Sequence, residues 1–273
     1  MSDKAEDAIS DFYDSVGWKT ENEITEDARR WEDLREHAAS YVHKCRLRVL
    51  KHIPDTGLNM LDMASGPIQY DEYLEYSKNY QKRYCVDLSS TALKYAEEKI
   101  GDHGVFLNGS FFDIPFEDNF FDCSISLHTI YHIHMSKQEE AVRKLLRVTK
   151  PGKPVIIVYS NPDTVTRLPS LLANKIQSLA RKPALQPQAE EKLEFYFHAF
   201  PIQWWDRFSD IATIKVLPWR SFTATTQKTL FPDNKFGSKL FNLLYWLEDH
   251  FPQFFSKNLT YPMIILTKKS ARK

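Results

Sequence analysis

Cysteine is scarce in this sequence, and its few copies are scattered. The 273 residues include three cysteines, Cys45, Cys85 and Cys123, and no two of them have CxxC spacing. An odd number without that spacing argues against a disulfide framework and against a zinc ribbon. Cys85 and Cys123 lie within apolar, strand-like runs, so both are expected to be buried thiols.

An excess of charge of either sign is also missing. The 36 basic residues balance the 36 acidic ones, so the formal net charge is zero. A chain of this kind has no general electrostatic attraction to nucleic acid or to an acidic membrane. Nucleic acid is therefore not an expected partner.

Long apolar runs are absent too. No run is long enough to span a bilayer, and Met1 to Asp11 is polar and acidic, without the apolar core of a signal peptide. We therefore expect no transmembrane segment and a cytoplasmic location. The apolar fraction of 42% is nevertheless large enough for a substantial buried core.

A strand that runs into a turn of small residues opens the informative part of the chain, at 58–70. The strand ends near Asp62, and Ala64-Ser65-Gly66-Pro67 forms the turn. Small residues let the backbone approach a ligand closely, and in open α/β sheets ligands bind at such a turn. The alternative is an ordinary tight turn in which Asp62 satisfies nearby backbone groups.

Strands then alternate with helices, which predicts a doubly wound parallel sheet. After the opening strand we predict strands at 83–87, 105–109, 121–127, 155–159, 213–217 and 261–267, and helices at 90–100, 138–149 and 240–251. The last of these helices is short and rich in aromatic residues, which favours a place in the core over a membrane anchor.

Asp87 closes the second strand about 20 residues after the small-residue turn. A carboxylate at that position can bind two ribose hydroxyls. It can also cap the helix that follows, which is a common role for Asp. The two roles are compatible, and we favour ribose binding.

Residues 1–50 are predicted to form a helical cover, with apolar residues at helical spacing over 27–50. An aromatic patch at 12–18, which includes Tyr13, lies ahead of that helix. It either packs on the domain or closes as a flap over a bound ligand.

At 161–212 a polar segment with several prolines interrupts the α/β pattern, and 170–182 is a candidate basic amphipathic helix within it. Irregular segments on a rigid α/β scaffold often carry specificity.

Laid end to end, 58–160 resembles the class I S-adenosylmethionine-dependent methyltransferases. Five motifs of the family match this chain in order. They are the first strand with its acid Asp62 and turn, the second acid at Asp87, the loop Gly109-Ser110 followed by Ile114-Pro115-Phe116, the strand that begins at Phe121-Asp122, and the Lys150-Pro151-Gly152 turn that ends the helix at 138–149. Ala64 and Ile68 stand where the family usually has glycine, and Ser110 replaces an acid.

The resemblance implies a seven-stranded, mainly parallel Rossmann-like sheet with a reversed strand at 261–267. It divides the chain into the cover at 1–50, a cofactor-binding core at 51–160, an inserted cap at 161–212 and the rest of the sheet at 213–273. It also implies that S-adenosylmethionine is bound and leaves as S-adenosylhomocysteine. The implied cofactor contacts are Tyr13, Asp62, Ala64, Ser65, Gly66, Pro67, Asp87, Leu88, Ser110, Phe111, Leu127 and His128.

An NAD-dependent oxidoreductase is the first competing interpretation. That fold needs the full Gly-x-Gly-x-x-Gly so that the backbone can reach a pyrophosphate. The segment Ala64 to Gln69 has only one of these glycines. S-adenosylmethionine has no phosphate, so the methyl donor fits this turn better.

Histidines follow the fourth strand, where the family places residues that face the sulfonium. His128 and His132 are candidate general bases, since imidazole titrates near neutral pH, and a spacing of four predicts one shared helical face. Both could instead pack or cap the strand–helix junction. A metal site with His134 is disfavoured, because no neighbouring acid or thiolate completes it. The predicted acceptor contacts are Tyr131, His132, Tyr196, His198 and Trp205, although Trp205 also suits the core.

The sequence therefore predicts a methyltransferase that acts on a small molecule, at an oxygen. Natural products, sugars and lipid headgroups all remain open as acceptors. A different class of function is a non-catalytic protein that binds S-adenosylmethionine or serves as a partner scaffold.

Overall fold

A seven-stranded sheet is the frame of the molecule. The computed structural model describes residues 13–18, 20–21, 24–165 and 196–270. A short antiparallel pair, β1 (Thr20–Glu21) and β2 (Ile24–Thr25), precedes the sheet. The sheet strands are β3 (Gly57–Met63), β4 (Tyr80–Asp87), β5 (Gly104–Asn108), β6 (Cys123–Leu127), β7 (Pro154–Val158), β8 (Ala212–Arg220) and β9 (Tyr261–Lys268).

The strand order is β5-β4-β3-β6-β7-β9-β8. Neighbours from β5 to β7 pair in parallel, whereas β9 runs antiparallel to both β7 and β8. This confirms the predicted doubly wound, mainly parallel sheet of seven strands, including the reversed strand at 261–267.

The internal strand β7 shows why the sheet needs cover on both faces. Val155 and Ile157 pack into one hydrophobic cluster, whereas Ile156 and Val158 pack into a second cluster on the opposite face. Since alternate residues of a strand point to opposite faces, an unbroken apolar run can only be buried between two layers. Helices supply those layers.

Eight α-helices lie within the described ranges. The bounds are α1 (Glu26–Trp31), α2 (Glu36–Leu47), α3 (Glu72–Glu75), α4 (Ser90–Ile100), α5 (Gln138–Val148), α6 (Ala224–Leu230), α7 (Lys235–His250) and α8 (Pro252–Asn258). Short 3-10 segments lie at Val49–His52, Gly101–His103, Ile130–His132 and Ile202–Phe208, and a π turn at Tyr13–Gly17.

The helices predicted at 90–100 and 138–149 are confirmed as α4 and α5. Ser89 fixes the start of α4, because its hydroxyl accepts a hydrogen bond from the Ala92 N–H at 3.0 Å. The thiols of Cys85 and Cys123 are buried and free, as expected, and so is that of Cys45.

The single helix predicted at 27–50 is wrong, because the chain breaks between α1 and α2. Glu32 has an extended backbone, with φ −111° and ψ 149°. Buried Asp33 then accepts hydrogen bonds from the Arg35 guanidinium at 2.7 and 2.9 Å. A short acidic side chain that bonds locally competes with helical hydrogen bonding, and the apolar spacing across the break could not reveal that.

The helix predicted at 240–251 begins earlier, at Lys235. The Asn234 side chain caps it by accepting hydrogen bonds from Phe236 N–H at 2.9 Å and Gly237 N–H at 3.1 Å. The prediction that this helix belongs to the core is confirmed for its inner face, where Phe241 is buried. Phe236 on the outer side is 62% exposed. The candidate helix at 170–182 and the polar residues 1–11 lie outside the described residues.

A buried carboxylate joins α7 to α2 and to the end of β8. Glu248 accepts hydrogen bonds from Tyr41 hydroxyl at 2.5 Å, from Arg48 at 2.6 Å and from the Ser221 hydroxyl at 2.5 Å. The side chain of Glu248 is fully buried and that of Arg48 is 4% exposed. A buried charge of this kind is tolerated because every neighbour donates to it.

We predict that Glu248→Gln lowers the free energy of unfolding by about 3 kcal/mol, since among the described residues Arg48 then keeps only the partly exposed Asp249 as a charged partner. Urea unfolding followed by circular dichroism measures the change. Glu97→Gln, at an exposed position of α4, is the matched control, with an expected change within about 0.5 kcal/mol. Equal stability of the two variants would contradict this view of the network.

Candidate functional site

The residues predicted for the site converge on one edge of the sheet. The carboxyl ends of β3, β4, β5, β6, β7 and β8 lie along this edge, and β9 starts there because it is reversed. Ligands of open α/β sheets bind outside these carboxyl ends. The site is therefore built from the turns that leave the strands.

Asp87 connects two of those turns. Its Oδ2 accepts a hydrogen bond from the Gly66 N–H at 2.8 Å, and its Oδ1 accepts one from the Ser89 N–H at 2.9 Å. Burial raises the pKa of the Asp87 carboxyl to about 6, while the two backbone hydrogen bonds oppose that shift. Since a carboxylate has about four lone-pair positions, both oxygens retain acceptor capacity for a ligand.

The small-residue turn has a left-handed backbone at three positions. The φ angles are 57° at Ala64, 57° at Gly66 and 51° at Ile68. Ala64 and Ile68 are the two positions where the sequence departs from glycine, so the backbone keeps the geometry without its usual residue. Side chains with a Cβ adopt this region at a cost of roughly 1 kcal/mol or more, and such strain clusters at functional sites.

Asp62 lies beneath this turn, in a buried ion pair. Its Oδ2 accepts hydrogen bonds from the Arg83 guanidinium at 2.5 and 3.1 Å. Arg83 comes from the neighbouring strand β4, and both side chains are buried. The carboxylate thus holds β3 to β4, and its predicted contact with a cofactor stays a prediction.

The aromatic patch predicted near the amino terminus lies over the turn. A methyl group built on Gly66 would lie 3.3 Å from the Trp18 ring, and Tyr13 stacks on Trp18 with ring centroids 4.7 Å apart. Asp14 accepts a hydrogen bond from the Ser89 hydroxyl at 2.5 Å, at the start of α4. Trp18 Nε1 is buried, with no hydrogen-bond partner in the described ranges. The segment is placed where the predicted flap would act.

The third-strand loop is held by its own side chains. The Asn108 amide donates to the carbonyl oxygens of Asp87 at 3.1 Å and Leu88 at 2.9 Å. The Ser110 hydroxyl accepts a hydrogen bond from the Phe112 N–H at 3.4 Å. Phe111 is buried, and Lys144 Nζ donates a hydrogen bond to its carbonyl oxygen at 2.6 Å. The Gly109 N–H donates to the Asp87 carbonyl oxygen at 3.0 Å, so the loop that carries Ser110 and Phe111 leaves β5 next to the end of β4. The cofactor contacts of Ser110 and Phe111 stay predictions.

His128 leaves the end of β6, directly after Leu127, with φ 60°. Its Nδ1 lies 3.1 Å from the Tyr131 hydroxyl, and its ring contacts Trp219 and Tyr261 at centroid distances of 4.5 and 5.4 Å. Burial lowers the pKa of His128 well below 6.5, and the Arg220 charge adds to that shift. The imidazole is therefore neutral at physiological pH.

The prediction that His128 and His132 share one helical face is wrong. The left-handed backbone at His128 and the 3-10 turn Ile130–His132 separate them. Tyr131 contacts both rings, at centroid distances of 6.5 Å from His128 and 4.6 Å from His132. His132 instead bonds the Tyr196 carbonyl oxygen through Nδ1 at 3.0 Å.

Four of the five predicted acceptor contacts come together beside this turn. The His198 N–H donates to the Tyr131 carbonyl at 2.8 Å, and the Tyr196 hydroxyl accepts from the Met135 N–H at 2.9 Å. Trp205 is apart from them: it is fully buried and its ring packs on Tyr159 at 5.0 Å. Trp205 is thus part of the hydrophobic core.

Two buried arginines near His128 had no place in the sequence-based prediction. Glu32 bridges them, with oxygens 3.3 Å from Arg46 and 3.1 Å from Arg220. The Nε atom of each guanidinium is buried, without a hydrogen-bond partner among residues that the structure describes. Because Arg46 lies on α2 and Arg220 on β8, no local motif links them. The available signal was that Arg220 ends a strand at the ligand-binding edge.

Aromatic rings surround these charges. The Arg46 guanidinium lies 3.2 Å from the centre of the Tyr70 ring, and the Arg220 guanidinium lies 5.0 Å from both Trp219 and Tyr261. Rings and cations at these distances attract each other. Within the described ranges no three His, Cys, Asp or Glu side chains are grouped so that they could hold a metal ion.

Comparison with known proteins shows which family model this chain matches. The family model described as "Methyltransferase domain" matches residues 61–157. The ubiquinone/menaquinone biosynthesis C-methyltransferase UbiE of Idiomarina loihiensis is 24% identical over 182 residues, which cover 61% of this chain and 71% of the relative.

A second relative matches over a shorter stretch. The protein of the same name from Pseudomonas aeruginosa is 34% identical over 87 residues, 29% of this chain and 32% of the relative, so this chain spans about a third of its length. Among solved structures, a complex of DhpI with SAH has a TM-score of 0.58 over the whole of both chains at 12% identity. That likeness concerns the fold.

The left-handed turn generates a stability prediction. Ala64→Gly should raise the free energy of unfolding by about 0.5 to 1 kcal/mol, because glycine adopts positive φ without the Cβ clash. Ala39→Gly, at an exposed position within α2, is the opposite control and should lower it by about 1 kcal/mol. Thermal and urea unfolding measure both. A loss of stability in Ala64→Gly would show that the turn is not strained.

Proposed function

Because this chain belongs to the class I S-adenosylmethionine-dependent methyltransferases, we propose that it methylates a small molecule at a hydroxyl oxygen. The observation that carries the proposal is the position of His128, a partly buried imidazole on the same sheet edge as the Asp87–Gly66 contact. An oxygen acceptor must lose a proton, and a neutral imidazole can accept it.

The residues around Asp87 fit the cofactor. Asp87 would accept hydrogen bonds from the ribose hydroxyls, the turn from Ala64 to Pro67 would lie against the amino-acid end, and Ser110 and Phe111 would meet the adenine. Tyr13 and Trp18 would cover the molecule, and aromatic faces favour the charge of a sulfonium. When bound, S-adenosylmethionine supplies a methyl group that is already activated for in-line displacement.

His128 would act as the base through Nε2. If its Nδ1–H donates to the Tyr131 oxygen, which lies 3.1 Å away, the lone pair on Nε2 can accept the acceptor's proton. Tyr131 then fixes the tautomer. His132 is the second candidate base, because its Nδ1–H donates to the Tyr196 carbonyl oxygen, and it would also line the acceptor pocket.

The acceptor pocket would lie between these residues and the two arginines. Tyr131, His132, Tyr196 and His198 offer one wall, and Trp219 and Tyr261 offer another. Natural products, sugars and lipid headgroups all carry hydroxyls that such a polar, aromatic pocket can hold. Packing of Trp205 in the core removes it from this proposed set.

A carbon atom is the second candidate acceptor. The relatives from Idiomarina loihiensis and Pseudomonas aeruginosa are named as C-methyltransferases. Methylation of an activated ring carbon also requires loss of a proton, so His128 would serve either reaction. The identity of the methylated atom in the product distinguishes the two.

Calorimetric titration tests the cofactor site. We expect S-adenosylmethionine and S-adenosylhomocysteine to bind, NAD not to bind, and Asp87→Asn to weaken binding about tenfold or more through lost charged hydrogen bonds. Since the pKa of Asp87 is raised to about 6, affinity should fall as the pH is lowered through 6. Asp210→Asn, at an exposed site, is the control. Binding of NAD alone would overturn the proposal.

The base is tested by its protonation and by turnover. In NMR titration, His128 should stay neutral well below pH 6.5, because burial disfavours the imidazolium.

His128→Gln should lower methyl transfer from labelled S-adenosylmethionine to a panel of phenols, sugars and quinols by about 10²-fold or more. His37→Gln should match the parent. An unchanged rate in His128→Gln would dismiss this residue as the base.

A further inference from the structure

Large apolar side chains are exposed along α7, α8 and the residue between them, and two of them, Trp246 and Phe251, are in contact. Phe236 is 62% exposed, Leu243 51%, Trp246 49%, Phe251 54% and Phe254 56%. We call these five residues the aromatic surface. Exposed apolar residues are ordinary when scattered, but a group of five along two consecutive helices marks an interaction site.

Helix α7 is apolar on two faces. Its inner face, with Phe241 and Leu244, is buried against the sheet. Phe236, Leu243 and Trp246 follow one another at spacings of seven and three, so they form a second stripe on the outer side. Apolar positions on a second face of a surface helix are candidates for an interaction site. In the described ranges this outer stripe is exposed.

The charges around the aromatic surface are mostly basic, although Asp233 beside Lys235 is an exposed acid. Lys235, Lys239 and Lys257 are exposed, and none forms an ion pair with any described residue. The nearby acid Asp249 is neutralised by Arg48 at 3.0 Å. Aromatic side chains beside lysines are typical of helices that lie in the interface of an anionic bilayer. This local charge differs from the zero net charge of the whole chain.

Helix α8 is followed closely in the chain by a residue of the site edge. Helix α8 ends at Asn258, and the chain reaches Tyr261 within three residues. Tyr261 packs on His128 at a centroid distance of 5.4 Å. Tyr261 therefore connects the end of α8 to the site edge through a short segment. Within the described residues, no helix is long and apolar enough to cross a bilayer.

We propose that the aromatic surface and its three lysines dock this protein on the face of an anionic lipid bilayer. The aromatic rings enter the headgroup region, while the lysines pair with lipid phosphates. The inference is independent of the proposed acceptor, since it concerns the location of the enzyme and not the atom it methylates.

Vesicle co-sedimentation of the full chain tests this proposal. We expect binding to phosphatidylglycerol/phosphatidylcholine vesicles, weaker binding to pure phosphatidylcholine, and loss at high salt because the lysine contacts are screened. The double variant Trp246→Ser, Phe254→Ser should weaken binding about tenfold or more. Lys239→Glu with Lys257→Glu should remove the preference for the anionic lipid.

Tyr95→Ser, which removes an exposed aromatic residue from α4, is the matched control and should bind as the parent does. Titration with S-adenosylmethionine shows that each variant is folded, and it separates failure of docking from failure of the proposed function. Absence of vesicle binding by the parent would overturn the proposal. So would a dimer in light scattering that the Trp246→Ser, Phe254→Ser variant abolishes while vesicle binding is absent.

Discussion

The carboxylate of Asp87, held between the backbone N–H groups of Gly66 and Ser89, organises the ligand-binding edge of the sheet. One oxygen fixes the turn after β3 and the other fixes the first turn of α4. The two turns thereby keep a constant spacing, which a rigid bisubstrate site requires. The cost of burying this acid is visible in its raised pKa, and the backbone donors offset part of it.

The aromatic cover depends on the same contact. Asp14 accepts a hydrogen bond from the Ser89 hydroxyl, and Trp18 packs against Gly66. The amino-terminal segment therefore contacts both of the residues whose N–H groups bond Asp87. Cover, turn and helix start are therefore one cooperative unit. A substitution in any one of these three segments is expected to affect the stability of the other two, because they are in direct contact.

The sequence predicted the parts of this structure that local pattern controls. Strand β7 was predictable because an unbroken apolar run can only be buried on both faces, and α5 because its apolar residues recur on one helical face. The rest needed three dimensions. Spacing placed His128 and His132 on a helix that the left-handed backbone at His128 forbids. The pairing of Arg46 with Arg220 depends on the fold alone, because no local rule connects α2 with β8.

The bridge from Glu32 to Arg46 and Arg220 has a consequence for how molecules exchange with the crevice. Glu32 lies in the bend between α1 and α2, so separating this bend from β8 would take a carboxylate from a nearly buried guanidinium group, which is costly. Arg35 fastens the same bend by donating to the carbonyl oxygens of Phe231 at 2.8 Å and Gln227 at 3.1 Å. This side of the crevice is therefore a fixed wall, against which a ligand must fit without rearranging it.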